Sequence, residues 1–153
     1  MIQEFLSEVE LFRELDDEEL AHVLMSGLVR RFPAEAVILT EGGPGAQLMV
    51  IHEGQVRISK VIPGIGEEAL TILGPGEFFG EIAFFDGGTA SAHAIAHSDC
   101  EIWCIPHREM QRLMETHPAL TSKFLWAFAR TMALRLRRTD DKMASVLAIS
   151  RTF

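Results

Sequence analysis

Between Leu28 and about Ile105, short apolar or alternating runs are separated by turns rich in glycine and proline. The runs are Leu28–Phe32, Val37–Glu41, Leu48–Glu53, Val56–Val61, Glu68–Leu73, Ala92–His97 and Cys100–Ile105. Alternation over a few residues is typical of half-buried strands, and clusters of glycine and proline are typical of turns. Regular short strands broken by one small helix predict a double-sheet roll. The predicted class is therefore α+β and mainly β, with a jelly roll or double-stranded β-helix at its centre.

Helical patterns flank these strands. The predicted helices are Gln3–Val9, a second one capped by Asp16 or Asp17 and ended by Gly27, His107–Glu115, and Ala119 to about Arg138. Pro118 suits the first turn of the last helix because a helix does not need the N–H of that position. The sequence predicts one domain over residues 1–138, followed by a short tail at 139–153 without a DNA-binding domain. Residues 143–149 of the tail are expected to form one more amphipathic turn.

The last helix is apolar around most of its circumference. Leu120, Phe124, Ala127, Thr131 and Leu134 form one stripe, which Leu125, Phe128, Met132 and Leu136 widen. A helix of this kind needs burial on more than one side, whereas the roll covers only one. The pattern predicts a homodimer through the 119–138 helix. An ordinary core helix is the alternative.

A glycine-framed stretch, Gly76–Ala96, carries the candidate site. Gly80 permits a tight turn and a close approach of the backbone to a ligand. The N–H groups from Glu81 to Phe84 then open a short helix, and free N–H groups at a helix start favour anions. The Glu81 carboxylate beside them suits a ligand hydroxyl, from which it accepts a hydrogen bond.

These residues resemble the phosphate-binding cassette of the cyclic nucleotide-binding domain family. The matching residues are Phe79, Gly80, Glu81, Ile82, Ala83, Ser91, Ala92 and Ala96. The resemblance implies that Glu81 contacts the ribose 2′-hydroxyl, and that backbone amides near Ala83 and Ser91 contact the cyclic phosphate. The arginine that neutralises the phosphate in that family falls on Ala90, and its preceding proline falls on Thr89. The predicted ligand-binding set is Phe79, Gly80, Glu81, Ile82, Ala83, Ala90, Ser91 and Ala92.

Alanine at position 90 predicts weak or lost nucleotide binding. A charge-assisted pair with phosphate contributes about 1.5–3 kcal/mol, so its loss lowers affinity about ten- to a hundredfold or more. Candidate substitute cations are His93 and an arginine from a partner's long helix, such as Arg130. Because side chains alternate along a strand, His93 should point away from the face of Ala90, which favours a structural role for it.

Composition excludes several functions. The net charge of −8 and the pI near 5.2 argue against nonspecific nucleic-acid binding and against an anionic membrane surface. No apolar run approaches the ~20 residues that cross a bilayer, and the acidic N-terminus does not resemble a signal peptide. A cytoplasmic protein is expected. The arginines at the end of the last helix have a solvated helix end as their default explanation, since the fifteen residues beyond Arg138 are too few for a helix-turn-helix module.

The sequence contains no residue pattern that is typical of a metal site or a catalytic site. Cys100 and Cys104 are expected ~13 Å apart on one strand face, as are His93 and His97, which is too far for a disulfide or one metal ion. His93 or Met49 could in principle ligate a haem, but no sequence feature favours either residue as a haem ligand. Because no nucleophile elbow, phosphate-binding lysine loop or paired carboxylate cleft occurs, the sequence predicts a non-enzyme.

Three functions remain in order of preference. The first is a regulatory or sensor module that signals through protein–protein contacts, with weak or lost cyclic nucleotide binding. The second is a genuine cyclic AMP- or cyclic GMP-binding protein that uses backbone amides and Glu81. The third is a fragment of a transcription regulator of the catabolite-activator type. No cofactor is predicted with certainty; the possible ligand is a cyclic nucleotide or another anion, and the sequence leaves the protein partner and pathway open.

Overall fold

The computed structural model describes residues 1–152, which form eight strands and five α-helices. The helices are α1 Ile2–Glu8, α2 Asp17–Met25, α3 Glu81–Asp86, α4 His107–Thr116 and α5 Pro118–Thr152, with a 3₁₀ turn at Glu10–Phe12. The strands are β1 Leu28–Phe32, β2 Val37–Leu39, β3 Gln47–Glu53, β4 Val56–Ile62, β5 Gly66–Leu73, β6 Phe78–Phe79, β7 His93–Ala96 and β8 Cys100–Pro106. The helices and strands that the sequence predicts all occur, in the predicted order, with β6 as an additional strand.

The strands form two antiparallel sheets of four. One sheet has the order β1-β8-β3-β6 and the other has the order β2-β7-β4-β5. Consecutive strands therefore alternate between sheets at several points, as in a roll rather than a meander. The predicted mainly β, α+β roll is confirmed, with the small helix α3 inserted between β6 and β7.

Two apolar clusters form the core. The first joins the helices to the outer face of the β1-β8-β3-β6 sheet and includes Phe12, Trp103 and Phe124, each at most 1% exposed. The second lies between the sheets and includes Met49, Ile51 and Ile102. Alternate residues of β8 thus serve opposite clusters, because successive side chains point to opposite faces of a sheet.

Three local features refine the sequence prediction. Asp16, rather than Asp17, caps α2. Its carboxylate accepts a hydrogen bond from Glu19 N–H at 2.8 Å, and the Glu19 carboxylate accepts one from Asp16 N–H at 2.9 Å. β2 ends at Leu39 and not at Glu41. The two-residue strand β6 was not predicted, because two residues are too short to show a period.

The end of the last helix was predicted wrongly. Instead of ending near Arg138, α5 continues to Thr152, so residues 139–152 are helical and not a separate tail. Residues 139–152 contain neither glycine nor proline, and nothing in them stops a helix that has already formed. The amphipathic turn expected at 143–149 is part of this helix. Phe153 lies outside the described residues, and the absence of a DNA-binding domain stays a prediction.

Glu35 adopts a backbone conformation that is unusual for a residue other than glycine, with φ +70°. Arg57 holds it there, with Nη2 2.9 Å from Glu35 Oε2 and Nε 2.7 Å from Glu67 Oε1. Hydrogen bonds from the Arg57 guanidinium lower the pKa of both Glu35 and Glu67. Glu35 is therefore a non-glycine residue in the left-handed region whose side chain forms an ion pair with Arg57.

The two cysteines are buried free thiols, as predicted. Burial raises the pKa of Cys104 to about 11 and also raises the pKa of Cys100. Because the thiolate is the nucleophile, we expect neither residue of the native protein to be alkylated by iodoacetamide at pH 8, whereas both react in guanidinium chloride. Mass spectrometry of the intact chain measures this. Rapid double labelling without denaturant would contradict the burial described here.

Candidate functional site

One cavity brings together all eight residues of the predicted ligand-binding set. Its volume is about 310 Å³, in the range of small-molecule sites. The predicted residues that line it are Phe79, Gly80, Glu81, Ile82, Ala83, Ala90, Ser91 and Ala92. Strand residues Leu39, Ile58 and Leu73 add apolar lining, and α5 adds Arg135, Arg138, Thr139 and Lys142. The cavity thus has an apolar part from the strands and a cationic part from α5.

Gly80 positions the start of α3. It has φ +84°, and a Cβ atom there would lie 2.4 Å from the carbonyl oxygen of Gln47. The position therefore needs glycine both for its backbone conformation and for its close approach to β3. Phe84 N–H donates to Gly80 O at 3.1 Å, so the N–H groups of residues 81–83 precede the first bond of the helix. With six residues, however, α3 supplies only a small dipole.

Glu81 pairs with a cation from α5. Arg135 Nη1 lies 3.0 Å from Glu81 Oε1, and Arg135 Nη2 donates to the carbonyl oxygen of Phe78 at 2.8 Å. The guanidinium carbon also lies 4.2 Å from the centre of the Phe78 ring, within the range of a cation–π contact. The side chains of Arg135 and Glu81 are 31% and 14% exposed. Arg135 therefore links α5 to the start of β6 and to the start of α3.

His93 and the Arg130 of the same chain do not lie in this cavity, and an Arg130 supplied by a partner stays a prediction. The Nδ1 atom of His93 accepts from Glu41 N–H at 3.2 Å, and His93 does not line the cavity. This agrees with the structural role that strand alternation favoured. Arg130 is exposed on α5, away from the cavity of its own chain. The cations that do line it, Arg135, Arg138 and Lys142, were missed, although their basic run was visible in the sequence.

Ala90 packs closely against the loop that precedes β3. Its N–H donates to Gly43 O and its carbonyl accepts from Gly42 N–H, both at 2.9 Å. Only 7% of its surface is exposed. Both backbone polar groups of Ala90 are therefore hydrogen-bonded within the protein. Its methyl side chain does not supply the positive charge that arginine supplies at this position in the family pattern.

Aromatic packing connects α3 to α5. The ring centres of Phe85 and Phe128 lie 4.2 Å apart, and those of Phe85 and Phe124 lie 6.3 Å apart. Phe84, on the other face of α3, is 2% exposed in the first core cluster. Because α3 contacts α5 through both these rings and Arg135, a displacement of one helix changes the packing of the other.

Metal ligands and membrane-spanning helices were considered for residues 1–152 by what the side chains and helices there can form. No group of three or more His, Cys, Asp or Glu side chains comes together there as it does in multi-ligand metal sites. Within the same range, no helix combines the length and the apolar character that crossing a bilayer requires.

Comparison with known proteins identifies the family to which this fold belongs. The model of the cyclic nucleotide-binding domain matches residues 29–117, which include β2 to β8, α3, α4 and all but the first residue of β1. The chain belongs to the cyclic nucleotide-binding domain family. The cassette resemblance found in the sequence is thereby confirmed at the level of the family.

Two curated relatives each share about a third of the sequence or less with this chain. The cyclic AMP receptor protein of Thermus thermophilus is 32% identical over 130 residues, covering 85% of this chain and 58% of that protein. A CRP-like cAMP-activated global transcriptional regulator of Mycobacterium tuberculosis is 27% identical over 95% of this chain and 63% of its own length. The chain thus spans roughly 60% of the length of these curated relatives.

A solved structure supports the same fold. The crystal structure of a cyclic nucleotide-binding domain from Methylobacillus flagellatus is 27% identical, with a TM-score of 0.81 over 92% of this chain and 79% of that one. The two folds therefore agree over nearly the whole chain, including helices beyond the family-model match.

Proposed function

We propose that this protein is a non-enzymatic regulatory module whose cavity binds a cyclic nucleotide or a similar small anion, and which signals through α5 to a protein partner. The observation that supports this most is the placement of Arg135, 3.0 Å from Glu81, in the cavity lined by all eight cassette residues. A cation beside the cassette supplies part of the positive charge that the cassette lacks because position 90 is alanine. Of the relatives described above, one is named a transcriptional regulator and the other a cyclic AMP receptor protein, and both names support the regulatory role.

We propose that binding is weaker than in family members with the cassette arginine. Arg135 already makes two hydrogen bonds and one ring contact, so a phosphate must compete with them or use Arg138 and Lys142. Both of these side chains belong to the cavity lining and to a long helix, where they lose conformational entropy on binding. The ligand therefore gains less from them than from a preorganised arginine in the cassette.

The Glu81–Arg135 pair also offers a route for the signal. In this proposal a ligand hydroxyl donates to Glu81 and so competes with Arg135 for the same carboxylate. Releasing Arg135 removes a link between α5 and the β6–α3 segment, and the Phe85 contacts transmit the shift. The ligand then changes the position of α5 because it binds the two arrangements with different affinity.

Isothermal titration of the full chain with cyclic AMP and with cyclic GMP tests the ligand. We expect measurable heat for at least one of them at millimolar concentration. Arg135→Gln should weaken that binding about tenfold, because the Arg135 guanidinium that the ligand releases from Glu81 is then no longer present to pair with the phosphate. Arg137→Gln is the matched control, because it removes the same charge from a neighbouring exposed position that does not line the cavity. Absence of heat with both nucleotides would refute the ligand proposal.

We also propose a parallel homodimer through α5, which extends the predicted 119–138 contact toward Thr152. A heptad repeat places Leu125, Met132, Thr139 and Val146 at one core position and Ala129, Leu136, Met143 and Ser150 at the other. Leu136, Met143 and Val146 are 63%, 57% and 60% exposed in the single chain. Three large apolar residues in one seam favour burial against a second copy.

Charges beside the seam favour the parallel in-register arrangement. Arg135 flanks one core position, and Asp140 flanks the next on the opposite side, five residues further along the helix. In a parallel two-stranded coiled coil, residues with this spacing meet across the interface. Asp140 of the second copy therefore approaches Arg135, so the proposed dimer contact and the ligand cavity share one cation.

Sedimentation equilibrium of two aspartate variants tests the dimer. Leu136→Asp places a charge in the seam, and we expect it to sediment as a monomer at concentrations where the unmodified chain is a dimer. Leu134→Asp is the matched control, since Leu134 is 47% exposed and lies on the outer side of the same repeat. A monomeric unmodified protein, or equal dissociation of the two variants, would contradict the seam.

A transcription regulator is the alternative function, because the two curated relatives above include one that is named a transcriptional regulator. The predicted absence of a nucleic-acid partner has no support from these relatives. Electrophoretic retardation of random and genomic DNA fragments, with and without cyclic AMP, distinguishes the two. Ligand-dependent retardation by this chain would favour the alternative.

A further inference from the structure

Two histidines that are 95 positions apart in the sequence meet on the side of the molecule formed by α2 and the α4–α5 junction. The ring centres of His22 and His117 lie 4.5 Å apart, with their planes inclined by 48°. Both residues are partly buried. His22 belongs to the last turn of α2, and His117 joins α4 to α5. Sequence spacing does not predict this pair, because the two histidines are far apart in the chain.

We propose that His22 and His117 together bind one late transition-metal ion, with Zn²⁺ as the representative case. Imidazole nitrogen is a preferred ligand of Zn²⁺, Ni²⁺ and Cu²⁺. At a metal–nitrogen distance of ~2.1 Å each ring centre lies ~3.2 Å from the ion, so the observed separation of 4.5 Å corresponds to a nitrogen–metal–nitrogen angle of ~90°, as in an ion with five or six ligands. Because these are the two protein ligands, water or a partner side chain completes the coordination.

Hydrogen bonding leaves the outer nitrogen of His117 free to act as a ligand. Its Nδ1 lies 3.1 Å from the carbonyl oxygen of Leu113 and 2.8 Å from Thr116 Oγ1. The Thr116 hydroxyl donates to backbone carbonyls of α4, so it accepts from His117. The proton therefore belongs on Nδ1, and the Nε2 lone pair is available. A carbonyl partner on the other ring nitrogen is the arrangement that orients metal-ligating histidines.

Both histidines stand on segments whose backbones are held in place. The carbonyl oxygen of His117 accepts from Thr121 N–H at 3.0 Å and from Thr121 Oγ1 at 2.9 Å. The carbonyl oxygen of His22 accepts from Ser26 Oγ at 2.9 Å. Close by in the chain, Lys123 Nζ lies 2.6 Å from Glu19 Oε1 and ties α5 to α2. A metal ion between the rings would add a second link at the base of α5, and the net charge of −8 favours a cation.

Zinc chloride titrated calorimetrically into the full chain, in a buffer without chelating anions, tests the pair. We expect one Zn²⁺ per chain, a rise in melting temperature on Zn²⁺ addition, and at least tenfold weaker binding for both His22→Ala and His117→Ala. His93→Ala and His97→Ala are the controls and should bind as the unmodified chain does. Mg²⁺, which prefers oxygen ligands, should not bind to the pair.

If His117→Ala folds poorly, His22→Ala is the decisive variant. His22 is partly exposed and lies at the end of a helix, so we expect its replacement to leave the fold intact. Zn²⁺ binding of undiminished affinity in His22→Ala would place the ion elsewhere and overturn the proposal. Absence of binding at millimolar Zn²⁺ would overturn it as well.

Discussion

Replacing Gly80 with alanine is expected to destabilise the protein by about 3 kcal/mol or more and to abolish ligand binding in the cavity. The alanine Cβ would lie 2.4 Å from the carbonyl oxygen of Gln47, and φ +84° is unfavourable for any side chain. Because the opposing atom belongs to the backbone of β3, relief requires a shift of the strand or of α3. Either shift moves Glu81 relative to Arg135. Urea unfolding followed by circular dichroism gives the free energy of unfolding.

Gly76→Ala separates the two causes of this effect. Gly76 has φ +86°, nearly the same as Gly80, but a Cβ atom at position 76 meets nothing within 4 Å. We therefore expect it to lose only the conformational part, about 1–2 kcal/mol. Equal losses for the two variants would show that the approach of Gly80 to Gln47 imposes no constraint.

Replacing Ala90 with arginine is expected to tighten cyclic nucleotide binding about ten- to a hundredfold. Ala90 lines the cavity, so the longer side chain has space to extend toward the ligand. A charge-assisted hydrogen bond to phosphate contributes about 1.5–3 kcal/mol, and 1.4 kcal/mol corresponds to one decade of affinity. Calorimetric titration with cyclic AMP and cyclic GMP measures the gain.

Ala90→Gln is the control for this gain, since glutamine adds length and hydrogen-bonding capacity without a charge. We expect its affinity to stay within a few fold of the unmodified chain. If Ala90→Arg bound no better than Ala90→Gln while both remained folded, the phosphate would not lie beside position 90. The cassette geometry inferred from the sequence would then be wrong for this chain.

The cassette was accessible to sequence reasoning because it is local. Its glycines, the Glu81 carboxylate and the strand that follows occur within about twenty residues, so their spacing already fixes which of them share a loop and a helix start. The structure places all eight predicted residues in one cavity. Their role in binding a ligand remains a prediction that the titrations above address.

The cations of the cavity were not accessible in the same way. Arg135 is 54 positions from Glu81, and the two meet only because α5 packs across the β6–α3 segment. The sequence showed a basic end of a helix, for which a solvated surface is the default explanation. Arg135, Arg138 and Lys142 face the cavity because Phe124 and Phe128 pack against α3 and so set the rotation of α5. The spacing of residues in the sequence does not predict this packing.

By itself, the sequence determined the local conformations and the class of fold. Alternating runs and glycine-proline turns specify short strands, and Gly80 and the Asp16 cap specify where helices begin, because each depends on neighbours within a few residues. Only the tertiary structure decided which distant side chains meet: Arg135 with Glu81 in the cavity, and His22 with His117 at the α4–α5 junction. These pairs depend on how rigid helices pack onto the sheets, and packing is a property of the whole chain.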